Sequence, residues 1–162
     1  MNKISLNDNW KIRSEELNFG TEKMPEVARR QEGWMEISVP CDIHIPLIKN
    51  GFIKEPLDAE ECFNSEWIEE KSWWFKKTFN VGERILSEDV TELTFESLDA
   101  EADIFLNDFY LGHHRSAHYP FVQDVKDKLK IGENTLIVRL TSGLEYYCEQ
   151  DMAGIKKFIS LG

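Results

Sequence analysis

The stretch Glu92-Leu93-Thr94-Phe95-Glu96-Ser97-Leu98-Asp99-Ala100-Glu101-Ala102-Asp103-Ile104-Phe105-Leu106-Asn107-Asp108-Phe109-Tyr110-Leu111 decides how this chain folds. Leu93, Phe95 and Ser97 alternate with Glu92, Thr94 and Glu96, which sends one set to a core and the charged set to water. The same period of two returns at Ala102, Ile104 and Leu106, interleaved with Asp103, Phe105 and Asn107. Asn107 and Asp108 both tolerate left-handed backbone, so they turn the chain into Phe109 to Leu111 and the second half predicts a β-hairpin.

The alternation extends in both directions. Ile4 and Leu6, then Trp10 and Ile12 across the Asn7-Asp8-Asn9 turn, predict two opening strands. Further strands are expected over Met35 to Val39, Trp73 to Phe79, Phe121 to Asp124 and Thr135 to Leu140, the last preceded by an Ile131-Gly132-Glu133-Asn134 turn. Roughly eight short strands in one unit predict an all-β sandwich. Two segments break the pattern. Asp42 is placed to N-cap a short helix over Ile43 to Asn50 that Gly51 stops, with Pro46 tolerated near its first turn. Leu144, Tyr147, Cys148, Met152 and Ile155 recur at helical spacing, although Gly154 disfavours a helix. Glu15 to Glu32 is the loosest region by pattern.

Composition bounds the function. The 162 residues suit one domain, and 41% apolar with 12% aromatic residues fill one core. No Pro/Gly/Ser-rich linker divides them, so residues 1–162 are expected as one sandwich, with 144–162 a helical or linker segment leading to further domains. A formal net charge of -11 repels phosphate backbones and anionic headgroups, which excludes nucleic acid and membrane surfaces as expected partners. Neither a signal-like start nor a run of roughly 20 apolar residues is present. Cys41, Cys62 and Cys148 are odd in number and lack CxxC spacing, so free thiols in the cytoplasm are expected rather than a disulfide framework or a thiolate zinc site.

Several blocks together resemble the β-mannosidase branch of family 2 glycoside hydrolases. They are Val39-Pro40-Cys41-Asp42-Ile43-His44 with Gly51-Phe52-Ile53 and Glu55-Pro56, then Trp67-Ile68-Glu69-Glu70-Lys71-Ser72-Trp73-Trp74-Phe75-Lys76-Lys77-Thr78-Phe79, then Phe95 to Asn107 with Leu111-Gly112 and Asp124-Val125. The tryptophan-rich block is the most specific of them. The resemblance runs from Ile4 to about Tyr147 and implies a jelly-roll, galactose-binding-like sandwich at the N-terminus of a retaining enzyme. It implies that the catalytic glutamates lie in a downstream (β/α)8 barrel of the same polypeptide, and that a mannoside or another glycoside is the substrate. It also departs from the family at three places: Cys41 replaces a usual Gly, Glu60-Glu61 stands for Asp-Asn, and Ser116-Ala117-His118 stands for Asn-Met-Phe.

The candidate chemistry is sparse. Glu60-Glu61, Glu69-Glu70 and Asp99 with Glu101 offer carboxylates, but neighbours on a strand point to opposite faces and loop pairs are solvated, so no catalytic residue is assigned. His113, His114 and His118 are the one histidine cluster; Ser116 and Pro120 make it a turn instead of a metal-binding helix face, and no metal or cofactor is expected. Trp67 and Trp74 offer flat indoles for stacking on a pyranose, while Trp73, sharing a face with Phe75 and Phe79, belongs to the core. Asp42 and His44 would lie near the barrel interface as the resemblance implies, Asp42 doubling as a helix cap. Sugar or domain-interface candidates are therefore Asp42, His44, Trp67, Trp74 and His118. A support module of a glycosidase, an autonomous carbohydrate-binding module and an interaction domain without sugar all remain open.

Overall fold

The computed structural model describes residues 3–55 and 64–146. Eight strands are present among these residues: β1 (Trp10–Glu16), β2 (Met35–Ile37), β3 (Lys71–Val81), β4 (Glu92–Phe95), β5 (Glu101–Leu106), β6 (Phe109–His114), β7 (Phe121–Asp124) and β8 (Gly132–Thr141). All pairs are antiparallel. Six strands form one sheet in the order β2-β1-β3-β8-β5-β6, and β4 pairs with β7 in a second sheet. Among the described residues three short helices, α1 (Met24–Arg29), α2 (His44–Lys49) and α3 (Glu83–Leu86), lie outside the sheets. The sandwich expected from the alternation is the observed fold.

The main core fills the space between the sheets. Trp10 and Ile12 of β1, Trp73 and Phe75 of β3, and Ile104 and Leu136 of β5 and β8 are buried there, and Leu93, Phe95 and Phe121 of the small sheet pack on the same cluster. The intervening residues Trp74, Phe105 and Ile137 point the other way and build a second apolar cluster with Met24 and Val27 of α1. The region read as loosest, Glu15 to Glu32, thus ends β1 and then supplies a cover through Phe19, Met24, Val27 and Ala28. Pro25 sits in the first turn of α1, where a missing N–H costs nothing, and Met24, Val27 and Ala28 share one helix face.

The hairpin turn follows its chemistry. Asn107 and Asp108 have φ of 49° and 70°, the left-handed pair of a two-residue turn. Asn107 also closes the turn onto β8: its Nδ2 donates to Asn134 Oδ1 at 2.6 Å and to the Lys128 carbonyl at 2.8 Å, and its Oδ1 accepts from the Thr135 N–H at 3.0 Å. Helix α2 starts one residue later than expected, with Ile43 at the N-cap. It ends as expected: Gly51, φ +74°, donates to the Ile48 carbonyl and Phe52 to the Leu47 carbonyl, the two bonds of a left-handed glycine stop.

Three expectations are corrected. Ile4 to Leu6 forms no strand: Leu6 packs on the core, Ile4 is exposed, and the ladder toward residue 39 reduces to a single bond from the Val39 N–H to the Asn7 carbonyl. Strand β4 stops at Phe95, short of Ser97, whose hydroxyl donates to the Ala117 carbonyl at 2.9 Å. Of the helix expected over Leu144 to Ile159, the described part, Leu144–Tyr146, is a 3-10 turn, and the remainder lies outside the described residues.

Trp74 has no exposed surface. Trp74→Ala is expected to cost about 3–5 kcal/mol, as for other large aromatic truncations in cores, read as a lower urea midpoint with an unchanged slope.

Candidate functional site

Asp42 and His44 are the two sequence candidates that meet. At the start of α2, Asp42 Oδ1 accepts the His44 backbone N–H at 2.8 Å and lies 2.7 Å from ring Nδ1. These bonds, the backbone one first, hold the Asp42 carboxyl below the usual carboxylate range although burial opposes them. An imidazole that gives Nδ1–H to a carboxylate keeps Nε2 for another partner. Beside this pair, Ile45 and Phe52 are 61% and 64% exposed, while Leu47 anchors the helix in the main core. The Cys41 thiol is pushed up by burial and then by Asp42, so it is no activated nucleophile.

The other candidates lie elsewhere. Trp67, in a 3-10 turn over Glu66–Ile68, is half-buried against Trp73 with ring centroids 6.2 Å apart. Trp74 is corrected as a stacking platform: its ring is sealed in the second core, and its Nε1–H donates to Ser72 Oγ at 3.1 Å. His118 is exposed in the β6–β7 loop, its backbone N–H bonded to Ser116 Oγ. The histidine cluster does not converge either. The His114 ring lies by the Ser116 and Tyr119 carbonyls, and His113 turns to carboxylates of β5. Among the described residues no group of three or more His, Cys, Asp or Glu side chains is placed to hold a metal. Glu60-Glu61 lies outside the described residues.

Among the described residues one concentration of buried charge joins Glu101 and His113, named above in separate groups, to Asp103 and Arg139, which the sequence pattern does not single out. On the outer face of the large sheet, beyond α1, Glu101 and Asp103 of β5 are only 8% and 10% exposed at the side chain, and Arg139 of β8 is 7% exposed. Arg139 Nη1 donates to Asp103 Oδ2 and Glu145 Oε1, both at 3.3 Å, and Arg115 donates to Glu101 Oε1. Tyr110 donates its hydroxyl to Asp103 Oδ1 at 3.0 Å. Burial, and then that bond to an anion, push the Tyr110 hydroxyl up to about 12. The signal that was available is two carboxylates two residues apart on a strand with an arginine on a neighbouring strand. Pairing Asp103 opposite Arg139 needs the β5–β8 register, which periodicity alone does not supply.

A cavity of about 400 Å³ lies between α1, the β5–β6 turn and the segment after β7, walled by Met24, Phe105, Leu129 and Ile137 with Lys76 and Asp127 among its polar groups. Its carboxylates are Asp108 and Asp127, the latter paired with Lys128.

Residues 10–158 match the family model described as glycosyl hydrolase 2 galactose-binding domain-like. The chain belongs to that family. This galactose-binding-like domain is 31% identical to a probable β-mannosidase of Caenorhabditis elegans over 67% of its length, and 26% identical to a β-mannosidase of Bos taurus over 88%. Its fold matches the crystal structure of the β-D-mannosidase of Dictyoglomus thermophilum with a TM-score of 0.76 and 28% identity over 90% of the chain. The domain spans only 12%, 15% and 16% of those three proteins.

Asp103→Ala would leave Arg139 buried with fewer counter-charges. Breaking a buried pair from one side costs about 3–5 kcal/mol, and the bonds of Arg139 to Glu145 and to the Leu17 and Phe19 carbonyls put the expected loss near the lower end. Tyr110→Phe is expected to lose about 1 kcal/mol. Denaturant unfolding of both variants checks the ranking.

Proposed function

We propose that this chain is the non-catalytic N-terminal support domain of a β-mannosidase-like glycoside hydrolase. The observation that carries the reading is the likeness to β-mannosidases along nearly all of this chain and along only a small part of theirs. The site chemistry supports it. A retaining glycosidase sets two carboxyl groups about 5–5.5 Å apart, one protonated for the leaving oxygen and one free to attack. Here the buried carboxylates Glu101 and Asp103 have every oxygen engaged by arginine, histidine or tyrosine, so neither is available to sugar. Bond cleavage with retention then belongs to a downstream barrel, where an acid protonates the glycosidic oxygen and a carboxylate forms the glycosyl intermediate.

The α2 corner is the surface offered to that barrel. Asp42 and His44 supply an oriented polar pair, and Ile45 and Phe52 supply the apolar area that a domain contact would cover. Trp67 and His118 are secondary candidates for the same interface or for the pocket rim.

The 162-residue chain is expected to release no product from an aryl β-mannoside, whereas the full-length enzyme turns it over. Calorimetry with mannosides is expected to be silent for the chain alone; heat at millimolar or tighter affinity would instead make it an autonomous sugar-binding module. Ile45→Asp with Phe52→Asp is expected to change the stability of the chain alone by no more than about 0.5 kcal/mol, while lowering the thermal midpoint and activity of the full-length enzyme. An unaffected full-length enzyme would remove the α2 corner from the interface.

A further inference from the structure

His113, on edge strand β6, stands between two carboxylates of β5. Its Nε2 lies 2.8 Å from Glu101 Oε2 and its Nδ1 lies 3.0 Å from Asp103 Oδ1. A neutral imidazole carries one N–H, so one of these contacts would set a nitrogen lone pair against a carboxylate oxygen. Only the imidazolium donates to both. Charge balance agrees: Glu101, Asp103 and Glu145 face two guanidiniums, Arg115 and Arg139, so protonated His113 brings the cluster to neutrality.

The cluster joins four pieces of chain. Glu101 and Asp103 come from β5, His113 and Tyr110 from β6 with Arg115 just beyond it, Arg139 from β8, and Glu145 and Tyr146 from the turn after β8. Thr141 donates its hydroxyl to Glu145 Oε1 at 2.6 Å, and the Arg115 guanidinium lies 5.1 Å over the Tyr146 ring. Arg115 thus connects Glu101, one of the two carboxylates that hold His113, to the turn through which the chain leaves β8. The two tyrosines are both raised, burial first, and stay protonated through the neutral range. His113 is left as the group whose ordinary range spans neutrality.

We propose that His113 is a proton-dependent clamp: as imidazolium it ties edge strand β6 to β5 and, through Glu101 and Arg115, fastens the turn at Leu144–Tyr146, and on losing its proton it loosens both. Burial by itself would push the His113 ring down, but the hydrogen bonds to Asp103 and Glu101 and their charges outweigh it, and the net shift is upward. A raised folded value means the stabilisation is complete below the ordinary histidine value of about 6.5 and fades as pH rises through the folded midpoint. The clamp does not require the sugar assignment; in a full-length enzyme it would set an alkaline limit of stability separate from the catalytic carboxylates.

Nitrogen NMR of the 162-residue chain tests it. Both His113 ring nitrogens are expected to be protonated at pH 6, with a midpoint above that of an unstructured histidine. Stability should fall across that midpoint, and amide protection at Glu145 and Tyr146 should be lost in step. Glu101→Gln is expected to lower the midpoint, and His113→Gln to flatten the pH dependence of stability while the fold persists. A neutral ring at pH 6, or a stability profile that His113→Gln leaves unchanged, would overturn the proposal, whether or not the chain or its parent acts on mannosides.

Discussion

Strand β3 is buried on both faces, and the rest of the architecture answers that constraint. Trp73 and Trp74 are consecutive, so the pleat sends one indole to each side of the sheet. An aromatic side chain removes 150–250 Å² from water, so roughly 4–6 kcal/mol is at stake for each at about 25 cal/mol per Å². One cover cannot serve both. Trp73 is buried in the core between the sheets, with Trp67 against its ring and the small-sheet residues Leu93, Phe95 and Phe121 packed on the same cluster, and the excursion through α1 closes over Trp74. Each indole N–H is also satisfied locally: Trp73 donates to the Ile68 carbonyl, and Trp74 to Ser72 Oγ, which donates in turn to the Glu16 carbonyl.

The second cover is shorter than the sheet it lies on, and this divides the outer face. Beneath α1, Trp74 of β3, Phe105 of β5 and Ile137 of β8 form an apolar surface, with the Lys76 ammonium bonded to the Ala28 carbonyl. Farther along, Phe105 gives way to Asp103 and Glu101, and Ile137 gives way to Arg139 and Thr141. Arg139 is the seam. Its guanidinium bonds the Leu17 and Phe19 carbonyls of the cover on one side and Asp103 and Glu145 on the other. Where no helix shields the sheet, buried charge is tolerable only because nearly every member has a partner, which is why the network is dense and not a lone ion pair.

The fold was legible because its information is local. The alternation at Leu93 and Phe95, the Asn107-Asp108 turn and the Trp73–Phe79 face all follow from a period of two and from which residues accept positive φ. Alternation failed at Ile4 and Leu6, where a strand needs a partner and the sequence does not say whether one is in reach. It also missed α1, because a six-residue helix presents too few apolar positions to show a period. The site was less legible for the same reason. Asp42 with His44 was visible because the two lie in one turn. The Asp103–Arg139 pair spans 36 positions and depends on strand register, and Trp74 looked like a platform because a sequence shows aromatic faces without what covers them.

The edges of the large sheet constrain how such a domain can meet another. Strand β2 is three residues long, which leaves little ladder to extend. Strand β6 is longer, but its register shifts between Ile104 and Phe105, and the extra residue, Leu111, turns inward to the main core. Such a bulge twists the edge away from a straight neighbour, and His113 adds a desolvation cost for any strand laid beside it. Association by strand addition is therefore disfavoured at both edges. The α2 corner differs from these edges in combining exposed apolar area, Ile45 and Phe52, with an oriented polar pair, Asp42 and His44, that is itself open to solvent.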